Sequence, residues 1–141
     1  MISEGDIEAF QRDGAIVLRG VLNDWIEVMA AGVAANMADP SEYASENAVT
    51  EGRFFDDYCN WARIPEFQRV IHDSPAAEIA ARAMRSATAQ MFHDHVLVKE
   101  PGTPKPTPWH QDAPYYFVEG AQTVSQWIPL DPLCRRSVAP G

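Results

Sequence analysis

An imidazole and a carboxylate stand two residues apart in the stretch Thr107-Pro108-Trp109-His110-Gln111-Asp112, just after a proline-rich run and just before Tyr115 and Tyr116. In an extended segment, residues i and i+2 point to the same side, so His110 and Asp112 can reach one metal ion together. One nitrogen and one oxygen ligand leave most of a coordination sphere open. A second His from elsewhere would complete the 2-His-1-carboxylate set of non-haem Fe(II) oxygenases. A His-x-Asp triplet also arises by chance, so its meaning depends on the elements around it.

Those elements divide the chain into a helical front and a strand-rich back. Ser3 is placed to cap a first helix carrying Glu4, Asp6, Ile7 and Phe10, and Gly14 suits its end. Ala15 to Leu18 reads as a short strand. Asn23 or Asp24 caps an Ala- and Met-rich helix over 25–37, stopped by Asp39-Pro40. The polar residues 40–50 read as loop, and the aromatic run 52–58 as a strand. Ile64-Pro65 opens a helix through Phe67, Val70 and Ile71, and Ser74-Pro75 opens another over 76–86. Thr88 to Lys99 alternates as a long strand, with Met91, His93, His95, Leu97 and Lys99 on one face and Phe92, Asp94, Val96 and Val98 on the other. Residues 100–108 form a loop, and Ala121 to Leu130 a further strand. Helices followed by strands predict an α+β protein with an antiparallel sheet.

The 141 residues allow one domain with one core, spanning 1–141. A formal net charge of −9 argues against nucleic acid or an anionic membrane as partner. No apolar run is long enough to span a bilayer, and the acidic N-terminus does not read as a secretory signal. Cys59 and Cys134 make neither a disulfide framework nor a metal knuckle, so a reduced, cytoplasmic setting is expected. Cys59 itself reads as a small buried apolar residue, and Asp56-Asp57 as a solvated pair.

Several separated segments agree in order and spacing with one pattern. They are Phe10 to Leu22; His95 to Thr103; Thr107 to Asp112 with Tyr115 and Tyr116; and Ser125 to Asp131. Together they resemble the phytanoyl-CoA dioxygenase family over most of the chain, from about residue 3 to about 132. That resemblance implies a double-stranded β-helix, a jelly-roll or cupin-like barrel, with N-terminal helices packed on it. It implies Fe(II), 2-oxoglutarate and O2 as cofactor and co-substrates, with hydroxylation of a small organic or acyl substrate. His110 and Asp112 match two of the three iron ligands. Gln111 and Trp127 match positions that line the co-substrate pocket, and Val96 and Val98 are candidates for the same pocket. In related halogenases the carboxylate is replaced by a small residue, so Asp112 points to hydroxylation.

The pattern is also incomplete. In that family a second His lies in a Gly-Ser-His segment tens of residues downstream, with an Arg beyond it for the far carboxylate of 2-oxoglutarate. These 141 residues hold no His after His110, and Arg135 and Arg136 stand too near the front half to replace that Arg. The expectation is a partial barrel, from a fragment, a truncated reading frame or a degenerate copy, that binds iron weakly and turns over little. Two alternatives stand beside it. One is a non-catalytic jelly-roll remnant acting as a binding module. The other is a cupin-like metal site of His93, His95 and Glu100, although the glycines that flank such a motif are absent. Lys99 can serve as a pocket cation or as a solvated strand end. Substrate identity and oligomeric state are not legible.

Overall fold

A computed structural model describes residues 1–47, 52–103 and 107–132. The capping signals in the sequence set the helix ends. Helix α1 spans Glu4–Asp13, with Ser3 and Asp6 in a reciprocal capping box and Gly14 closing it at φ 79°. A 3-10 turn at Asn23–Trp25 leads into α2, Ile26–Ala38. Helix α3, Pro65–Asp73, starts with Pro at its first position. Helix α4, Ala76–Ala83, follows directly, with the Ser74 hydroxyl accepting from the Ala76 N–H at 3.2 Å.

Three strands form one antiparallel sheet in the order β1-β2-β3: Ser45–Glu46, Phe54–Tyr58 and His95–Lys99. The mixture of helices with a small antiparallel sheet agrees with the expected α+β class. Tyr58 pairs with His95, Asp56 with Leu97 and Phe54 with Lys99, so these six share one face. Phe55, Asp57, Val96 and Val98 share the other.

That second face is the buried one. Phe55 and Val96 pack with Ile64 and Phe67, and Val33, Met37, Trp61 and Val98 close around them. Helices α2 and α3 touch where α2 has no side chain: a Cβ on Gly32 would stand 2.4 Å from the Phe67 ring. Two further clusters complete the core. One joins Ile2 and Ile7 to Ile79 and Ala83. The other groups Leu22, Met29 and Val70, with Ile128 and Leu130 against them.

Asp56 and Asp57 correct the expectation of a solvated pair. Alternation along β2 turns Asp57 inward, where it is wholly buried. It accepts from the Asn36 amide at 2.8 Å, the Ser41 N–H at 2.8 Å and the Ser41 hydroxyl at 2.5 Å. Cys59 is also corrected, being exposed on the turn after β2 at φ 63°.

The strands differ most from expectation. The long strand predicted over 88–99 joins a ladder only from His95 onward, because β2 ends at Tyr58 and Cys59, at φ 63°, turns the chain away after one more bond to the Asp94 carbonyl. Residues 15–18 and 121–130 carry strand-like composition without a ladder. They instead flank a cleft of about 760 Å³ lined mainly by apolar side chains, including Ile16, Leu18, Val124 and Ile128. Conversely, β1 was hidden in a polar run with no period to mark it. Residues 48–51, 104–106 and 133–141, with Cys134, Arg135 and Arg136, lie outside the described residues.

Candidate metal centre

His110 and Asp112 meet as their spacing requires. His110 Nε2 lies 3.4 Å from Asp112 Oδ1, and both side chains are about half exposed. Donors on adjacent positions around an ion with bonds of about 2.1 Å stand about 3 Å apart. The pair is therefore close to the separation that two ligands of one ion need.

The backbone of the loop decides the state of the ring. His110 Nδ1 lies 2.7 Å from the Pro108 carbonyl oxygen. A carbonyl can only accept, which assigns the proton of the neutral ring to Nδ1 and a lone pair to Nε2. That lone pair faces a carboxylate oxygen. A metal ion between them would draw on both. A His whose far nitrogen is held by a carbonyl is also the usual arrangement of a metal-bound imidazole.

Asp112 is held at both ends. Its carbonyl accepts from the Tyr115 N–H at 2.9 Å, closing the 3-10 turn Ala113–Tyr115. Its Oδ2 lies 3.4 Å from the Ser125 hydroxyl. The Tyr115 ring stands edge-on to His110 at 6.2 Å. Further along, Tyr116 packs on Phe92 at 5.4 Å and on His93 at 5.2 Å, which ties this loop to the segment before β3.

His95 lies close enough to Asp112 to feel its charge, which spacing alone did not reveal. It projects from the face of β3 opposite the core, edge-on to Tyr58 at 4.6 Å. Burial pushes its pKa down, against the upward pull of Asp56, Asp94 and Asp112 and alongside the repulsion of His93. Asp112 is thus within electrostatic reach of His95. Seventeen positions and a proline-rich stretch separate the two in the sequence.

The other predicted site residues scatter. Gln111 is exposed beside the pair. Trp127 is 67% exposed and lines the 760 Å³ cleft, whose lining includes neither His110 nor Asp112. Val96 is buried and Val98 half-buried in the Phe55–Phe67 cluster, on the face away from His95. Their side chains pack in that cluster. His93 packs among Phe92 and Tyr116 while His95 turns to Tyr58. Among the described residues, no three His, Cys, Asp or Glu side chains are gathered to hold a metal ion. His93, His95 and Glu100 therefore form no cupin-like triad, and His110 and Asp112 stand as a pair of possible donors with no third gathered among the described residues.

The model of the phytanoyl-CoA dioxygenase (PhyH) family matches residues 10–136. No curated protein and no solved structure matches the chain. The match spans most of the sequence and includes both donors, and the chain belongs to the phytanoyl-CoA dioxygenase family. That membership connects it with the Fe(II)- and 2-oxoglutarate-dependent oxygenases, and with small molecules as substrates. Among the described residues, no helix is long and apolar enough to cross a membrane.

Proposed function

We propose that this chain carries the iron-holding edge of an Fe(II)- and 2-oxoglutarate-dependent dioxygenase that hydroxylates an unactivated C–H of a small organic or acyl substrate. One observation carries the reading: His110 Nε2 lies 3.4 Å from Asp112 Oδ1 while its Nδ1 stands 2.7 Å from the Pro108 carbonyl oxygen, in a chain of this family. When bound, the iron with 2-oxoglutarate and O2 supplies the oxidising power that the protein's own side chains lack.

Each residue then has a defined task. Pro108 keeps the proton on Nδ1 so that Nε2 stays a donor to metal. Asp112 contributes the anionic ligand, and its presence leaves no place for a halide, which favours hydroxylation over halogenation. Gln111, next to the pair, and Trp127 are the residues we assign to the co-substrate. The indole would have to leave its exposed position along the cleft to reach it. In this reading the three strands are the front of a jelly-roll barrel.

Anaerobic titration of the purified chain with Fe(II) and 2-oxoglutarate tests the proposal through the metal-to-ligand charge-transfer absorption. With two protein ligands, a weak band that saturates only at high iron is expected, and His110→Ala abolishes it. A second reading is favoured by the lack of a three-donor cluster among the described residues: a non-catalytic binding module descended from such an enzyme. That reading predicts no band in either protein.

A further inference from the structure

We propose that Ser125 is a positioning residue for Asp112, holding Oδ2 so that Oδ1 alone is presented beside His110 Nε2. The inference rests on the reading of His110 and Asp112 as a metal pair. Its basis is how the Ser125 segment is anchored. Gln126 Nε2 donates to the Ala76 carbonyl at 2.8 Å, at the first residue of α4. Gln122 Nε2 donates to the Met84 carbonyl at 3.1 Å, just past the last. Ile128 and Leu130 pack into the Leu22–Met29–Val70 cluster. Ser125 thus stands between two side chains pinned along one helix, and the segment runs on into the core.

The metal pair is tied by Tyr116 to the segment before β3 rather than to the helices. Its loop is exposed, and Asp112 joins the helical layer through the 3.4 Å contact with Ser125. A free carboxylate can bind a cation through one oxygen or two. A hydroxyl donating to Oδ2 occupies a lone pair there and favours one-oxygen binding, which leaves a coordination position for oxygen ligands of the co-substrate. The contact is long for an O–H···O bond, whose usual length is about 2.7 Å. In the free chain it orients the carboxylate without clamping it, and such contacts tighten in the ligand-bound state.

The test uses Co(II) as probe, titrated into the purified full chain and followed by its visible absorption. Ser125→Ala is expected to weaken His110-dependent Co(II) binding by roughly 10- to 100-fold, the usual effect of removing a group that orients a metal ligand. Ser125→Thr, which keeps the hydroxyl, restores it. Thr123→Ala removes an exposed hydroxyl from the same segment and leaves the titration unchanged. Thermal melts show whether each variant is folded; if the Ala variant is not, Ser125→Val, which has the shape of Thr without the hydroxyl, takes its place with the same expected loss. Unchanged binding on removal of the hydroxyl overturns the proposal, and so does a loss that Thr fails to restore. If the unaltered chain shows no His110-dependent Co(II) binding, the metal reading itself falls and takes this proposal with it, an outcome distinct from the other two.

Discussion

Asp57 is buried completely, yet its carboxyl is held at about 2, below an ordinary value of 3.8. Burial pushes it upward. The Ser41 hydroxyl, the Ser41 N–H and the side chains of Asn36 and Asn60 pull it down and prevail. The folded state therefore binds this proton less readily than the unfolded chain does. Its contribution to stability is complete above pH 4 or so and disappears as pH falls toward about 2. Thermal melts should show a drop in Tm across that window, and a flatter profile in Asp57→Asn. The same substitution should cost roughly 1–3 kcal/mol at neutral pH, measured by urea unfolding, because an amide cannot accept from all these donors. An unaltered urea midpoint would show that the buried cluster does not support the fold. Two neighbouring carboxylates cannot be told apart by composition. Only the alternation of β2, which needs the strand to be placed first, turns one inward and leaves the other beside His95.

Helices α2 and α3 make a second kind of claim. Gly32→Ala gains up to about 1 kcal/mol of helix propensity. It also drives a methyl to 2.4 Å from the Phe67 ring, and overpacking of this kind costs about 1–3 kcal/mol. The net effect is expected to be destabilising, read as a lower urea midpoint; a raised midpoint would mean that Phe67 yields freely. The helices were legible because their signals are local. Ser3 with Asp6, Gly14 after Asp13, and Pro65 after Ile64 mark their ends within a turn. Strands are not local in this sense. Residues 15–18, 88–94 and 121–130 have strand composition but form no ladder, whereas the polar pair Ser45-Glu46 forms one because Phe55 and Asp56 lie opposite it. The site divides in the same way. His110 and Asp112 were legible as an i, i+2 pair. Ser125, thirteen residues on, and His95 are brought to them by anchoring and register that no short window contains.

Taken whole, the described residues give the sheet one covered face and one open one. Trp109, Tyr115, Phe117 and Trp127 are 91%, 74%, 90% and 67% exposed. Rings so exposed offer apolar surface to solvent. The folded chain is expected to enhance the fluorescence of 8-anilinonaphthalene-1-sulfonate while keeping a cooperative thermal melt; a dark dye would show that these rings are covered in solution. If His110 and Asp112 are the metal donors, with no third gathered among the described residues, Fe(II)-dependent decarboxylation of 2-oxoglutarate by the purified 141-residue chain should stay near background, and robust turnover would refute that reading. The central claim is narrower: that His110, through Nε2 and beside Asp112, is where this chain takes a metal. It is tested most directly by NMR of the chain with its four histidines labelled with 15N, as sub-stoichiometric Mn(II) is added. The prediction is that His110 broadens first, Nε2 more than Nδ1, with His72 affected last, and that Asp112→Asn weakens the effect. Equal broadening of all four rings, or none at His110, would contradict it.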